Sequence, residues 1–354
     1  MRYIDRIRWQ CRLGAGNPAL AVPGDSGESV TYGRLASYLD NARRRLRERG
    51  ARPRAVYGLL VGDALLHIVL MLALEDIGAA TVTLSDPETA ETWPLAGILS
   101  DRDIVKSAFP VWRAHPNWLH MGGEEPQSGT AAYSDDDICR VILTSGSTGK
   151  PKGIAYSHRM LAERISRFDV VFGSEFPRHK STLSCMGLGS GWGYRLCLYQ
   201  LARGGLFALP EPSIEGTIAK ISKYGIENLV ASPATLVEFL ASPHANRDKL
   251  QSLRMILSTG SLLPAALART VKQRMCPNIV NVYGSSETGT IATAPVDMLN
   301  LDKGEVGFVI PGMQIEIVDT DTGAPIKDGA GKIRVKCEAN ARLDRKSTRL
   351  NSSH

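Results

Sequence analysis

Short apolar runs and helix-period segments alternate along two long stretches of this chain of 354 residues, and that alternation decides the fold class. Thr31 has the chemistry of a helix N-cap, and Leu35, Leu39, Ala42 and Leu46 recur behind it at helical spacing until Gly50. A strand pattern (AVYGLL), a helix from Asp63 to about Ile77 and a further strand (AATVTL) follow. The alternation returns later: KYGIENLVAS, SPATLVEFLAS, SLRMILSTG, LPAALARTVKQRM and NIVNVYG read as strand ending, helix, strand, helix and strand. Such alternation predicts a mainly parallel, doubly wound α/β sheet with helices on both faces. From about Glu305 the apolar period falls to two (VGFVI, MQIEIVD, GKIRVKC), which predicts a small β subdomain. No internal repeat is present. The expected division is a first α/β part over 1–135, a second over 136–300 and a β part over 301–340.

Composition removes other classes. With 43% hydrophobic and 22% charged residues, the chain is neither disordered nor a fibrous or disulfide-built scaffold. The net charge of +6 invites a nucleic-acid reading, yet half of it comes from residues 341–354, where Arg342, Arg345, Lys346 and Arg349 face Asp344 alone. The basic run Arg43, Arg44, Arg45, Arg47, Arg49, Arg52 and Arg54 has no aromatic residues interleaved for base stacking, so it reads as a solvated helix face and no nucleic-acid partner is expected. The six scattered cysteines show no C-x-x-C, which argues against a zinc site or disulfide framework and fits a reducing cytoplasm. The start, MRYIDRIRWQ, lacks the apolar core of a signal peptide. Ala64–Leu74 contains His67 and is closed by Glu75 and Asp76, so it is too short for a membrane span and reads as a buried helix.

Chemistry concentrates in Leu143-Thr144-Ser145-Gly146-Ser147-Thr148-Gly149-Lys150-Pro151-Lys152-Gly153. Small hydroxyls and glycines leave backbone N–H groups uncovered, and a lysine adds charge, which suits a polyphosphate. The run is not a Walker loop: that motif needs Gly at 144 and Ser or Thr at 151, where this chain has Thr144 and Pro151. Proline resists immediate helix entry and GIAYS is β-like, so the loop is expected to join two strands. A linker reading is disfavoured because the flanking runs, RVIL and GIAY, are apolar.

T-S-G-S-T-G-K-P-K-G resembles the phosphate-binding signature of the adenylate-forming superfamily, which includes acyl- and aryl-CoA synthetases, adenylation domains of nonribosomal peptide synthetases and luciferase. Downstream, Asn281-Val282-Tyr283-Gly284-Ser285-Ser286-Glu287-Thr288-Gly289 resembles the family's Y-G-x-T-E motif, with Ser286 in place of threonine. Ser258-Thr259-Gly260-Ser261 is similar to its glycine turn before the adenine pocket. The resemblance spans roughly 15–338. It implies ATP and Mg²⁺ as cofactors, CoA as co-substrate, and a large domain of two doubly wound α/β subdomains with a small β subdomain. It assigns nucleotide binding to Thr144, Ser145, Gly146, Ser147, Thr148, Gly149, Lys152, Gly260, Ser261, Asn281, Val282, Tyr283, Gly284 and Ser286. Lys152 and Glu287 take catalytic roles, and Thr144 and Glu287 the metal. These roles agree with the residues' chemistry. Tyr283 can stack on adenine, Gly284 admits a close backbone approach, and Ser286 can bond the α-phosphate. Glu287 beside phosphates requires an intervening cation. Taken singly, Tyr283 would read as a core tyrosine and Glu287 as a solvated carboxylate; within this motif they do not.

The resemblance places the acid pocket near Met186–Gly193, where Gly189 and Trp192 are the candidates. Trp192 reads equally as core or pocket wall. Amino-acid-activating relatives carry an aspartate here for the ammonium group. No acid lies between Lys180 and Glu211, so a carboxylic acid without an α-amino group is expected. His158 reads as a helix-start residue with local contacts. The family's ribose aspartate in Y-[KR]-T-G-D, the arginine after it and the C-terminal lysine have no match. The chain is therefore expected to be a large N-terminal domain without its C-terminal domain and inactive alone, with 341–354 a non-native tail; a genuine terminus is the other reading. The expected activity is ATP-dependent acyl-adenylate formation, with CoA or a carrier-protein thiol as acceptor. The alternatives are an adenylation domain loading a carrier protein and a non-catalytic nucleotide-binding fragment.

Overall fold

The computed structural model describes residues 2–24, 28–104, 106–120, 133–144, 151–172, 180–326 and 329–337. In chain order its first elements are α1 (Tyr3–Leu13), β1 (Pro18–Ala21), β2 (Val30–Thr31), α2 (Tyr32–Glu48), β3 (Val56–Leu60), α3 (Ala64–Ile77), β4 (Ala80–Thr83), β5 (Gly97–Ser100) and β6 (Val111–Arg113). Next come β7 (Ile138–Thr144), β8 (Lys152–Ser157), α4 (His158–Val171), β9 (Ser181–Ser184), α5 (Gly191–Ala202), β10 (Leu206–Ala208) and α6 (Ile214–Tyr224). The remainder are β11 (Asn228–Ala231), α7 (Pro233–Ala241), β12 (Met255–Thr259), α8 (Ala265–Arg274), β13 (Ile279–Ser285), β14 (Gly289–Pro295), β15 (Phe308–Val309), β16 (Gln314–Val318) and β17 (Lys332–Lys336).

Local chemistry explains the helix starts. Thr31 accepts from the Arg34 N–H at 3.2 Å and Asp63 from the Leu66 N–H at 2.7 Å, each satisfying a donor that helix geometry leaves orphaned. Ser157 and Ser190 cap α4 and α5 in the same way. Gly78, at φ +87°, ends α3 in the left-handed conformation that glycine adopts without strain. Helix α3 is buried on every side from Leu66 to Ile77, as its lack of a polar face predicts.

The strands form a nine-stranded sheet (β15-β14-β13-β12-β11-β9-β10-β1-β2), a six-stranded sheet (β6-β5-β3-β4-β7-β8) and a two-stranded ribbon (β16-β17). The large sheet is parallel from β13 to β1 and antiparallel at both edges. The six-stranded sheet is parallel except for the β7–β8 hairpin. The main apolar core gathers α1, α2, α3 and α5 between the two sheets; a second core holds α6, α7 and α8 on the other face of the large sheet.

Two boundaries differ from the sequence reading. Strands β7 and β8 complete the first α/β sheet through β4–β7 pairing, so that sheet runs past residue 135, while β1 and β2 join the larger sheet. VGFVI does not belong to the β ribbon: Phe308 and Val309 pair with β14 as the edge of the nine-stranded sheet. Pairing between distant strands is set by core packing, which hydrophobic period does not encode. The basic run is also less free than a solvated face. Arg43 meets Asp76 at 3.1 Å, Arg45 meets Glu48 at 2.7 Å, and Arg49 stacks over Trp118.

Candidate active site

The chemistry-bearing loop leaves the end of one hairpin. Thr144 closes β7 and pairs with Lys152, which opens β8, so the loop joins two antiparallel strands as its proline implied. Thr144 Oγ1 donates to the Lys152 carbonyl at 3.5 Å, and Lys152 is half-buried. Ser145, Gly146, Ser147, Thr148 and Gly149 lie outside the described residues. Gly153 has a packing reason: a Cβ there would stand 2.5 Å from the Trp93 ring.

The second motif is the β13–β14 hairpin of the other sheet. Its register shifts between Tyr283 and Gly284, and a side chain at Gly284 would collide with the Gly289 carbonyl. Glycine is thus required there by the hairpin's own backbone, although Gly284 is also exposed. Ser285 Oγ accepts from the Thr288 N–H at 3.3 Å and shapes the turn. Tyr283 is half-buried. Gly260 follows β12 at φ +95°, one residue past the Thr259–Val282 pair and so in line with Tyr283; Ser261 beside it is exposed.

Two residues that sequence reasoning did not single out join the hairpins. The Tyr156 hydroxyl, from β8, donates to the Ser286 carbonyl at 2.7 Å. Arg164, from α4, donates to the same carbonyl through Nη1 at 2.9 Å and to the Glu287 carbonyl through Nη2. Its guanidinium stacks 4.5 Å from the centre of the Tyr156 ring. These contacts occupy backbone carbonyls. The Ser286 hydroxyl makes no hydrogen bond among the described residues, and the Glu287 side chain is half-buried.

Asn281 and Val282 stand apart from the rest of the expected nucleotide site. The Asn281 amide donates to the Val306 carbonyl at 2.8 Å inside the sheet, and Val282 is buried in the main core. Strand alternation sends these consecutive side chains to opposite faces of the sheet, and both are buried. His158 opens α4 as expected: its ring packs edge-on to Tyr133, and burial, with Arg2 nearby, lowers its pKa to about 4.

The Met186–Gly193 segment brings glycines where neighbours need room. Gly191 leaves space for the Tyr156 hydroxyl, and Gly193 lets α5 sit on the Met186 and Gly187 carbonyls. Gly189 lies beside Thr83. Trp192 is partly buried against the main core. Its ring meets Phe168 edge-on at 6.0 Å, and it lines a narrow cleft together with Arg164, Ile165, Phe168, Arg195, Leu196 and Tyr199. Arg195 is 7% exposed, and the sequence carried a signal for it: it is the sole charged residue between Lys180 and Arg203.

Among the described residues no three His, Cys, Asp or Glu side chains cluster as a metal site, and no helix is long and apolar enough to cross a membrane. None of the six cysteines forms a disulfide.

A family model described as "AMP-binding enzyme" matches residues 98–342. The chain is 24% identical over 305 residues to 4-chlorobenzoate–CoA ligase of an Arthrobacter species, covering 80% of this chain and 58% of the ligase. It is 24% identical over 310 residues to tyrocidine synthase 1 of Brevibacillus parabrevis, covering 82% of this chain and 28% of the synthase. Among solved structures, o-succinylbenzoate coenzyme A synthetase from Bacillus subtilis, in complex with AMP, superposes with a TM-score of 0.82 at 18% identity, over 98% of this chain and 74% of that one. The fold is shared, and the chain spans little more than half the length of the curated ligase and under a third of the synthase.

Proposed function

This chain belongs to the AMP-binding enzyme family, and from that membership we propose that it activates a carboxylic acid as an acyl-adenylate with ATP, releasing pyrophosphate, on the way to a CoA thioester. The observation that carries this reading is the joining of the two motif hairpins, one from each sheet, through Tyr156 and Arg164 at the Ser286 and Glu287 carbonyls. Those bonds hold the turn by its backbone and leave the Ser286 hydroxyl for a phosphate oxygen.

In the reaction a carboxylate oxygen bonds to the α-phosphorus of ATP, and the bond from that phosphorus to the bridging oxygen breaks. Both reactants are anionic, so the residues' work is electrostatic. Lys152, at the mouth of the β7–β8 hairpin, offsets phosphate charge, while Tyr283 and the Gly260–Ser261 turn bound the face open to the adenine. Thr144 and Glu287 offer hard oxygen donors, the chemistry a magnesium ion prefers; when bound, the ion would neutralise charge on the leaving pyrophosphate. The absence of any acid between Lys180 and Glu211 favours an acid without an α-amino group. CoA ligases and peptide synthetases both stand among the relatives, so loading of a carrier-protein thiol is the second reading.

Calorimetry with ATP and Mg²⁺ tests the nucleotide assignment. Lys152→Ala is expected to lower affinity by about 10-fold or more, the worth of one charge-assisted contact. Unchanged affinity would remove Lys152 and its loop from the site.

A further inference from the structure

Arg140, on β7, is fully buried and faces the main core beside Thr81 and Thr83 of β4. Its Nη1 donates to Thr81 Oγ1 at 2.7 Å, and its Nη2 donates to Thr83 Oγ1 and, at 2.7 Å, to the Leu188 carbonyl. The guanidinium carbon lies 5.1 Å from the centre of the Tyr194 ring. Nε has no partner, and no carboxylate stands within ion-pair distance among the described residues. Burial lowers the Arg140 pKa to about 10, so the group stays charged at neutral pH. A cation buried among neutral partners gains little stability over an apolar side chain of its size, so packing does not account for it.

What the guanidinium reaches does account for it. In the Met186–Gly193 segment the Met186 carbonyl accepts from Ser184 Oγ at 3.1 Å, and the Gly187 carbonyl from the Ser190 N–H at 2.9 Å and hydroxyl at 2.8 Å. Those bonds are local. Among the described residues, Leu188 has the one carbonyl of the segment whose donor comes from the six-stranded sheet. Arg140 pairs in register with Tyr156 across the β7–β8 hairpin. The Tyr156 hydroxyl holds the Ser286 carbonyl and occupies the room that Gly191 leaves. One rung of the hairpin thus holds the Ser286–Glu287 turn with one side chain and the Met186–Gly193 segment with the other. Four residues beyond Arg140, at Thr144, the same strand ends where the phosphate-loop candidate begins.

We propose that Arg140 is a positioning residue: through the Leu188 carbonyl it registers the segment expected to hold the acid on the hairpin whose loop is expected to hold the ATP phosphates. The proposal rests on the acid-activation reading and adds to it the device that aligns the two reactants. In-line attack is slowed by a misplacement of about 1 Å between the reacting atoms. A planar fork bonded to β4 and to the segment at once fixes direction as well as distance.

Hydrogen–deuterium exchange of the full chain reads this tie in peptides spanning 186–193, where the Ser190 and Gly193 N–H groups are hydrogen-bonded. Arg140→Met should speed exchange there about 10- to 100-fold, the worth of one charge-assisted bond, and leave peptides over β11 and β12 unchanged. Arg140→Lys, with one ammonium in place of the fork, should fall between the two. Saturating ATP·Mg²⁺ should slow exchange at 186–193 in the wild type by about 5-fold or more, and Arg140→Met should lose that effect, a change that a side chain serving stability alone would not produce. The proposal is overturned by wild-type exchange at 186–193 in Arg140→Met, by equal acceleration in every peptide, or by a nucleotide effect that persists in the variant. A wild type that binds ATP·Mg²⁺ with no change at 186–193 overturns it too. If Arg140→Met does not fold, Arg140→Lys decides, and exchange at 186–193 that matches the wild type would defeat the proposal. Calorimetry with ATP·Mg²⁺ is run separately on the wild type. Failure to bind there counts against the functional reading, while the nucleotide-free comparison still judges Arg140.

Discussion

Glu75 offers a pH test of the polar network beneath α5. It lies at the buried end of α3, 2% exposed, with Oε2 accepting from the Tyr194 hydroxyl at 3.0 Å and Oε1 unpartnered. Burial outweighs the Tyr194 bond and the Arg2 charge and raises its pKa from 4.5 to about 7. The folded state therefore holds its proton more tightly than the unfolded chain. Stability from this group is fully present below pH 4.5, falls as pH rises, and is lost above the folded pKa. A difference of about 2.5 units at about 1.4 kcal/mol per unit gives roughly 3 kcal/mol. His67 and His158 act in the opposite sense, since burial lowers both to about 4 and their charging opposes folding as pH falls from 6.5. The wild-type profile alone mixes these effects, so the comparison is with Glu75→Gln, which keeps the acceptor for Tyr194 and cannot ionise. Denaturant unfolding at pH 5 and pH 8 should show the wild type losing about 2–3 kcal/mol more than the variant between the two. Any cost of packing the amide is common to both pH values and cancels. Parallel profiles would refute the reasoning and mean that Glu75 ionises in the fold as easily as in water.

Other perturbations follow from close approaches and shared bonds. Gly193→Ala places a Cβ against the Met186 and Gly187 carbonyls, both backbone, and should lower stability by about 2–3 kcal/mol in thermal or denaturant unfolding; a neutral result would mean that α5 can move away from that loop. Tyr156→Phe deletes one of two bonds to the Ser286 carbonyl and should cost about 1 kcal/mol, with Arg164 still satisfying the acceptor. Gly191→Ala should be destabilising in the wild type and close to neutral in the Tyr156→Phe background, because the phenylalanine lacks the hydroxyl that the new methyl would meet; additive effects in that double-mutant cycle would show the two sites to be independent.

Much of the framework was legible because its causes are local. Thr31 could be read as a cap, since a cap needs only its own side chain and the next turn, while Asp63, read as the first residue of its helix, is the cap itself. Pro151 between two apolar runs correctly placed the phosphate-loop candidate inside a hairpin. The division of strands between sheets was not legible, because β7 pairs with β4 across more than fifty residues and hydrophobic period carries no partner label. The same distance hid Tyr156 and Arg164: in sequence each is an ordinary residue of a strand or helix, and its role exists only where the second sheet's hairpin arrives.

The glycines make the same point in reverse. Gly191 and Gly284 both lie in segments that invite a ligand-approach explanation, yet the nearest obstruction to a side chain is the protein itself: the Tyr156 hydroxyl in one case and the Gly289 carbonyl in the other. Gly191 admits the hydroxyl, the hydroxyl holds the Ser286 carbonyl, and Gly284 lets that hairpin close tightly enough to present it. A substitution at either glycine thus acts on the Ser286–Glu287 turn before it acts on any nucleotide. Loss of ATP binding in such a variant is evidence about how the turn is positioned, whereas loss in Lys152→Ala, whose side chain holds no part of that turn, is evidence about the phosphates.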